Sequence, residues 1–322
     1  MTTLESKPIA PPAAPARGRR RGKRSLLRNK WLYLMLVPGL IHLVVFKIAP
    51  VAALVIAFKN FSPFLGLWGS PWVGLQQFQA IFNDPQIPGL VVNTLILAVG
   101  TLIFSFPAPI IFALFLNEVR FTVARKFIQT MSFVPYLISS AVLVSILYTL
   151  LSPQGGLVNE IIKDFGGQPI SFLTDPDWFR PLYIGLNVWQ TFGYGTIIYL
   201  AAMTAIDPSL YEAAEMDGVG RFGKMRYVTL PALVPMMVVM LILALGQVLT
   251  VDVDKILLMY NPNTYATADV LQTYVYRLAF ASEGFPKYSY AAAVSLLQGI
   301  VAFVLVLGTN RITKRLTGSG LF

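Results

Sequence analysis

The sequence contains no cysteine, one histidine and few charged residues, and each shortage excludes a kind of chemistry. Without cysteine there is no disulfide framework, no thiolate metal site and no cysteine nucleophile. The one histidine, His42, lies in an apolar stretch, which leaves open whether it is a hydrogen-bonded packing residue or a proton relay. Of the 322 residues, 12% are charged and 56% are hydrophobic, which is too apolar for a soluble protein. We therefore expect a lipid bilayer to be part of the protein's solvent.

The net charge of +10 does not indicate a nucleic-acid partner, because most basic residues lie beside apolar runs and not on a basic domain. Residues 1–30 hold a Pro/Ala-rich stretch and then RGRRRGKR, and they are predicted to form a disordered basic cytoplasmic tail. Residues 31–322 are predicted to be one transmembrane domain. The apolar run after the tail is too long for a signal peptide and no A-x-A-like site follows it, so we expect it to stay uncleaved.

Six stretches have the roughly 20 mostly apolar residues that a membrane span needs. They are predicted as spans at Trp31–Phe58, Gly89–Leu116, Phe127–Leu151, Pro181–Ile206, Pro231–Val251 and Tyr290–Thr309. The first is over-long and contains Lys47 and Pro50, which predicts a tilt or bend at that point.

The lysine and arginine residues are distributed unequally between the two sides of these spans. One side receives the basic tail and the clusters at residues 120–126, 221–226 and 311–315, whereas the other side has few basic residues. Because basic residues resist translocation, both termini are predicted to be cytoplasmic. The three outer segments, at residues 59–88, 152–180 and 252–289, include amphipathic pieces such as GLVNEIIKDFGG. They either receive an external partner or cap the bundle.

The cytoplasmic loop at residues 207–231 reads DPSLYEAAEMDGVGRFGKMRYVTLP and has the pattern of a short surface helix. Asp207 is a suitable cap, Pro208 suits the first helical position, and Gly218 is suited to end the helix in the left-handed conformation. Small alanines allow close approach to another surface, and carboxylates on a basic side of the membrane suit arginines of a partner. The segment is therefore predicted to be a docking helix.

This loop resembles the EAA loop of permease subunits in ATP-binding-cassette (ABC) importers. Glu212, Ala213 and Ala214 match its opening, Gly218 follows at the family's spacing, and Leu230 with Pro231 match its close. The stretches YLMLVPGLI, LNEVRF, FVPYLIS and TYVYRLAF resemble the carbohydrate-uptake branch, similar to the maltose permease subunit and polysaccharide-permease relatives. The resemblance covers nearly the whole chain beyond the tail. It implies an all-α, six-helix type I importer permease bundle, in which the six matching residues couple the bundle to an ATPase.

A nucleotide-binding motif is present in the same loop but is incomplete. Gly218, Gly223 and Lys224 satisfy G-x-x-x-x-G-K, yet Met225 replaces the Ser or Thr that would bind magnesium, and no strand is expected before it. No catalytic residue, metal or cofactor is therefore assigned to this chain, and ATP hydrolysis is expected in a separate ATPase chain.

Polar residues in the fourth span predict a path for substrate. Asn187, Gln190, Thr191 and Tyr194 follow the spacing of one helix face. Sugars need hydrogen-bonding groups together with aromatic faces, and Asn187 and Tyr194 align with a cavity-lining helix of the maltose permease. The alternative is hydrogen bonding between helices.

Weaker candidates are isolated polar residues. Asn93, Gln247 and Gln298 are interpreted as packing contacts in preference to ligands. Asp252 and Asp254 form a D-x-D string, which on the outer side is expected to be solvated or to face a partner.

Taken together, the residues and the resemblance predict a permease of the bacterial cytoplasmic membrane that imports a sugar or oligosaccharide. The resemblance implies four kinds of partner: a second homologous permease, an ABC ATPase dimer, an extracytoplasmic solute-binding protein and the carbohydrate. An autonomous secondary transporter, an importer of a non-sugar solute and a membrane enzyme are the alternatives. The absence of H-E-x-x-H and G-x-S-x-G motifs argues against the enzyme.

Overall fold

The computed structural model describes residues 30–281 and 284–317. The chain divides into two units between Ala53 and Leu54, and each is described by itself. The predicted disordered tail falls on residues 1–29, outside the described residues, and so do the last five residues.

The first unit is helical. Helix α1 (Lys30–Leu43) continues through a π-helical segment (Val44–Ile48) into α2 (Ala49–Ala53). The His42 ring packs against Phe46, with 5.0 Å between ring centroids.

The second unit begins with a 3₁₀ turn and two short outer helices, followed by the longer helices. Its first half comprises the 3₁₀ turn Leu54–Phe58, α3 (Gly66–Gly69), α4 (Gln76–Asn83), α5 (Ile87–Ser105), α6 (Pro107–Asn117), α7 (Thr122–Leu137), α8 (Ser140–Leu151) and α9 (Leu157–Asp164).

The second half contains the longest helices. It comprises α10 (Pro176–Met203), α11 (Pro208–Met216), α12 (Arg221–Lys224), the π-helical segment Met225–Thr229, α13 (Leu230–Gly246), α14 (Val253–Met259), α15 (Tyr265–Ala268), α16 (Leu271–Phe280) and α17 (Tyr288–Thr317).

Helices occupy all six ranges that were predicted as spans. Within the described residues, four helical segments are long and apolar enough to cross a membrane: Tyr33–Phe58, Ile87–Asn117, Arg221–Gly246 and Tyr288–Gly308. The bent pair α7 and α8 counts as a fifth if it is one span. The remaining predicted span corresponds to α10, which is about 42 Å long at 1.5 Å per residue but whose polar residues lower its hydropathy. The predicted end of the fifth span, Val251, is wrong, because α13 ends at Gly246.

The predicted third span is not one continuous helix. Helices α7 and α8 meet at an angle of 103°. Ile138 and Ser139 between them are extended, and the Ser139 side chain accepts a hydrogen bond from Val142 N at the start of α8. Pro135 lies one turn before the break and weakens the helix there, because proline has no N–H for the helical hydrogen bond.

Both π-helical segments end two residues before a proline, at Pro50 and Pro231. A proline has no N–H to bond the carbonyl four residues earlier. In a π-helical turn, the N–H group five residues after a carbonyl donates the hydrogen bond to it, so the carbonyl stays paired. The helix therefore continues through a position that would otherwise leave a polar group unpaired in lipid.

Helix α10 is the central element of the second unit. It packs against α5, α6, α7, α13, α14 and α15. Its N-terminal half contributes Phe179, Tyr183 and Leu186 to one buried cluster, and its C-terminal half contributes Tyr199 and Leu200 to another. Large apolar side chains elsewhere are widely exposed, as expected of helices that face lipid or a neighbouring subunit.

The crossing of α10 with α7 requires glycine. A Cβ atom added at Gly193 would lie 1.9 Å from the backbone oxygen of Ser132. A Cβ at Gly195 would lie 2.8 Å from Pro109 Cβ on α6. Small residues at helix crossings let backbones approach closely, and van der Waals packing holds helices together in lipid.

We predict that Gly193→Ala destabilises the protein by about 1–3 kcal/mol, since the methyl group must force α7 and α10 apart. The measurement is the thermal unfolding midpoint of the purified protein in detergent. Gly185→Ala on the same helix is the matched control, because a Cβ there meets nothing within 4 Å. Equal midpoints for the two variants would contradict the close crossing.

Candidate functional site

The helix predicted for docking is α11, and its ends are as predicted. The Asp207 side chain accepts a hydrogen bond from Ser209 N (2.9 Å), and Pro208 occupies the first helical position. Gly218 has φ +73°, in the left-handed region that favours glycine.

A Schellman motif completes the C-terminal end of α11. Val219 N donates to Ala214 O (2.9 Å), and Gly218 N donates to Glu215 O (3.0 Å). These two bonds satisfy carbonyls that the end of a helix leaves unpaired. The chain then turns sharply into α12.

Two side-chain contacts hold α11 to the helix that follows. The hydroxyl groups of Tyr211 and Thr229 are 2.9 Å apart and hydrogen-bonded, and Thr229 is buried at the inner end of α13. The Lys224 ammonium donates to Glu215 Oε2 at 2.7 Å. This hydrogen bond, together with the charge of Lys224, holds the pKa of the Glu215 carboxyl below its ordinary value.

The remaining surface of α11 is open to a partner. Leu210, Glu212 and Ala213 are exposed, and Ala214 is partly so. Leu230 packs on the inner buried cluster of α6, α10 and α13, whereas Pro231 is exposed. Of the six matching residues, Glu212, Ala213 and Ala214 lie on α11, Gly218 follows its end, and Leu230 and Pro231 lie at the base of α13.

The incomplete nucleotide motif does not form a phosphate-binding loop. Its lysine, Lys224, is paired with Glu215, and a helix, α11, precedes the motif where a strand would be needed.

A cavity of about 390 Å³ lies between α5, α6, α10 and α13. Three of the four residues predicted for the substrate path line it, namely Asn187, Thr191 and Tyr194. The Tyr194 ring stacks on Tyr136 of α7, with 4.4 Å between centroids and 9° between planes. Both rings are about two-fifths exposed, so they present an aromatic surface.

Gln190 shares the helix face but has a structural contact. Its side-chain amide donates to Ile138 O (3.1 Å), a carbonyl that the break between α7 and α8 removes from the helical pattern. Hydrogen bonding between helices, the alternative left open by the sequence, is thus what Gln190 provides.

Two hydroxyl groups in the cavity wall were missed in the sequence. Thr101 and Ser105, one turn apart on α5, both line the cavity. Their hydroxyl oxygens are buried and have no hydrogen-bond partner among the described residues. Buried hydroxyls are normally paired, and these two oxygens have almost no accessible surface, so each reaches a group in the cavity only if its side chain rotates. The i, i+4 spacing of two polar residues within an apolar span was the available signal.

A buried lysine lies behind the cavity wall and was also missed. Lys255 on α14 is 2% exposed, and its ammonium donates to Asn187 Oδ1 at 2.7 Å. The ammonium also pairs with Asp252 Oδ2 at 3.0 Å. Asp254 is exposed, whereas Asp252 caps α14 and lines the cavity, a place that the expectation of a solvated or partner-facing residue did not include. Its place next to a lysine at i, i+3 could have indicated the pair.

The weaker candidates separate into two kinds. The Asn93 side-chain amide donates to the backbone carbonyls of Ala266 and Asp269, and its oxygen accepts a hydrogen bond from Arg180. Gln298 donates to Leu249 O. Both residues are therefore packing contacts, as predicted. Gln247, which was also interpreted as a packing contact, lines the cavity.

A second polar cluster joins the segment at residues 59–88 to α16 and α17. The hydroxyls of Tyr274 and Tyr290 both donate to Asp84 Oδ2, at 2.7 and 2.8 Å. Burial acts to raise the pKa of Asp84, but the bonds from Tyr274, Gln86 N and Tyr290, together with the Lys287 charge, outweigh it. The pKa of Asp84 is therefore below its ordinary value. A cavity of about 630 Å³ lies beside this cluster.

Comparisons with known proteins identify the class of this fold and site. Residues 105–317 match the family described as the binding-protein-dependent transport system inner membrane component. Protein LplB of Bacillus subtilis (strain 168) is 42% identical over 322 residues, covering 100% of both chains. The polygalacturonan/rhamnogalacturonan transport system permease protein YteP of the same organism is 43% identical over 304 residues, covering 94% of both.

Solved structures are also similar to this chain. A chain of a bacterial ABC transporter involved in the import of the acidic polysaccharide alginate is 38% identical, with a TM-score of 0.84. The match covers 91% of this chain and 98% of that one. The alginate transporter has also been solved in complex with an alginate pentasaccharide-bound periplasmic protein, with the same score and identity.

The all-α fold with its EAA-type helix is that of an ABC importer permease, a multi-pass membrane protein and a transport component. The chain belongs to the family of binding-protein-dependent transport system inner membrane components.

We predict that Tyr274→Phe raises the pKa of Asp84 toward its ordinary value and destabilises the protein by about 1 kcal/mol at neutral pH, since one hydrogen bond to the carboxylate is lost. A lowered pKa contributes stability that is present above the unfolded-state pKa and is lost as pH falls through the folded-state pKa. In the variant the folded-state pKa lies closer to the unfolded-state pKa, so this loss is smaller and is complete at a higher pH. The measurement is the unfolding midpoint in detergent between pH 3 and pH 7, values chosen to bracket the ordinary carboxyl pKa.

Tyr276→Phe is the matched control, because Tyr276 is an exposed tyrosine on the same helix. If both variants have the same pH dependence as the unmodified protein, Tyr274 does not hold the Asp84 carboxylate.

Proposed function

We propose that this permease imports a sugar or oligosaccharide, working with a second homologous permease, an ABC ATPase dimer and an extracytoplasmic solute-binding protein. Both termini are cytoplasmic in this proposal, which puts α11 on the ATPase side and the Asp84 cluster outside. The uneven distribution of lysine and arginine supports that orientation. The chain performs no bond chemistry, and the ATPase chains hydrolyse ATP.

The observation that carries the carbohydrate assignment is the lining of the 390 Å³ cavity. The amide of Gln247, which is exposed in the lining, suits the hydroxyls of a sugar, because an amide both donates and accepts hydrogen bonds. The half-exposed Tyr194 ring suits the C–H face of a sugar ring. Relatives named for polygalacturonan/rhamnogalacturonan transport and for alginate import support the same class of substrate.

Coupling is proposed to run through α11. The exposed Glu212, Ala213 and Ala214 would enter a cleft of the ATPase, and Gly218 would end the helix so that the chain can turn back. The Tyr211–Thr229 and Glu215–Lys224 contacts would carry the movement of α11 to α13. Leu230 and Pro231 begin that helix, which lines the cavity.

The proposed cycle has two states. ATP binding closes the ATPase dimer, α11 moves with it, and the bundle changes from inward-open to outward-open. The binding protein then releases sugar into the cavity, and hydrolysis restores the inward-open state.

The test is affinity purification of the tagged chain from its native membrane, followed by mass spectrometry and by uptake of labelled oligosaccharide in proteoliposomes. Recovery of an ATPase and a second permease, with uptake that requires ATP, is the expected result. Uptake by the chain alone without ATP would indicate a secondary transporter. ATP-dependent uptake of peptides or polyols but not of sugars would reject the carbohydrate assignment.

We predict that Glu212→Lys lowers ATP-dependent uptake at least about tenfold while leaving membrane insertion intact, because it puts a positive charge against the arginines expected in the ATPase cleft. Initial uptake rate and the amount of permease in the vesicles are measured together. ATPase recovery on the tagged permease reports the docking directly.

Glu160→Lys is the matched control. Glu160 is also an exposed glutamate on a short helix, and its ion pair with Lys163 is a surface pair worth little. Wild-type uptake in Glu212→Lys, or an equal loss in both variants, would reject the coupling role.

A further inference from the structure

The cavity has one formally charged side chain in its wall. Among the described residues that line it, Asp252 is that side chain, and the rest are apolar, hydroxyl or amide groups. Its carboxylate is about one-third exposed, so it is accessible from the cavity. A lone carboxylate in a site with low dielectric would repel an anionic solute.

Lys255 neutralises this carboxylate from behind the wall. Its ammonium lies 3.0 Å from Asp252 Oδ2 and its side chain is 3% exposed, so water and salt screen the pair little. The ammonium itself does not line the cavity. The wall therefore combines an accessible acceptor with no net charge.

The same ammonium fixes a second group in the wall. It donates to Asn187 Oδ1, while Asn187 Nδ2 donates to Tyr183 O. Tyr183 Oη in turn accepts from Asp252 N at 2.9 Å. Lys255 is thus the centre of a network that joins α10 to the start of α14.

We propose that Lys255 determines charge selectivity in this permease: by neutralising Asp252 it allows anionic, uronate-containing oligosaccharides to pass through the cavity as well as neutral ones. Lys255 is a positioning residue and does not touch the sugar. The inference rests on the proposed function, because it concerns the sugar that the cavity would hold. It extends that function by assigning a substrate class and the residue that controls it.

The experiment measures uptake of a uronate trisaccharide and of its methyl ester, which share one skeleton and differ in charge. Both are assayed with the complete transporter in proteoliposomes, so that any preference of the binding protein is common to all variants. The measured quantity is the ratio of the two KM values. Wild type is expected to take up both sugars.

In Lys255→Met the carboxylate is unpaired, and the KM for the uronate is expected to rise at least about tenfold relative to that for the ester, since an unneutralised charge in a buried site is strongly repulsive. Lys255→Met/Asp252→Asn restores a neutral wall, and its ratio is expected to return to near the wild-type value. Asp252→Asn alone is expected to change the ratio in the opposite direction. If Lys255→Met does not accumulate in membranes, the change of this ratio in Asp252→Asn alone tests the proposal.

Lys163→Met is the matched control, since Lys163 also pairs with an acidic residue three positions earlier but is exposed on α9. A merely structural Lys255 would lower uptake of both sugars equally, leave the ratio unchanged and not be rescued by the second substitution, and that result overturns the proposal. Wild-type uptake of the ester alone would overturn it too while leaving carbohydrate import intact. Uptake of neither sugar, with the complete transporter importing a non-sugar solute, would overturn the proposed function itself.

Discussion

The close contact between α10 and α7 determines where the polar groups of the cavity lie. At Gly193 the two backbones approach so closely that no side chain fits between them, and at Gly195 the same helix meets α6. Van der Waals packing of this kind is a main source of helix association in lipid. Since α10 carries Tyr183, Asn187 and Tyr194, its contact with α7 sets the stacking of Tyr194 on Tyr136, and its contact with α6 at Gly195 lies in the cavity wall.

Polar side chains inside the bundle fall into groups that serve the fold and groups that are left for a solute. Gln190 supplies the hydrogen bond that the carbonyl at the α7–α8 break needs, and Asn187 is shared between Lys255 and a helical carbonyl. Gln247 makes no such hydrogen bond among the described residues and is exposed in the cavity wall. The distinction follows from the cost of an unpaired polar group away from water, so the unpaired groups are the informative ones.

Much of the fold could be predicted from the sequence, because lipid demands long apolar helices and their positions are visible in composition. The caps of α11 were predictable as well, since Asp207, Pro208 and Gly218 each have a local physical reason for their place. The 103° bend between α7 and α8 was not, because Phe127–Leu151 is mostly apolar and has no charged residue, and Pro135 alone does not distinguish a kink from a break.

The site was predictable only in part. Three of four residues on the α10 stripe reached the cavity because helical spacing fixes which residues share a face. Lys255 lies in the segment at residues 252–289, on the side predicted to have few basic residues, where a charge beside a span usually faces water. Its burial depends on Asn187, 68 positions earlier in the chain, and such a contact has no local signature.

The π-helical segment at Met225–Thr229 changes how the base of α13 must be interpreted. A π turn holds one residue more than an α turn, and one residue corresponds to about 100° of rotation about the helix axis. The face that Arg221–Lys224 presents is therefore turned by that angle from the one an uninterrupted α-helix would give. A helical wheel drawn backwards from α13 would place the basic residues of this turn on the wrong side.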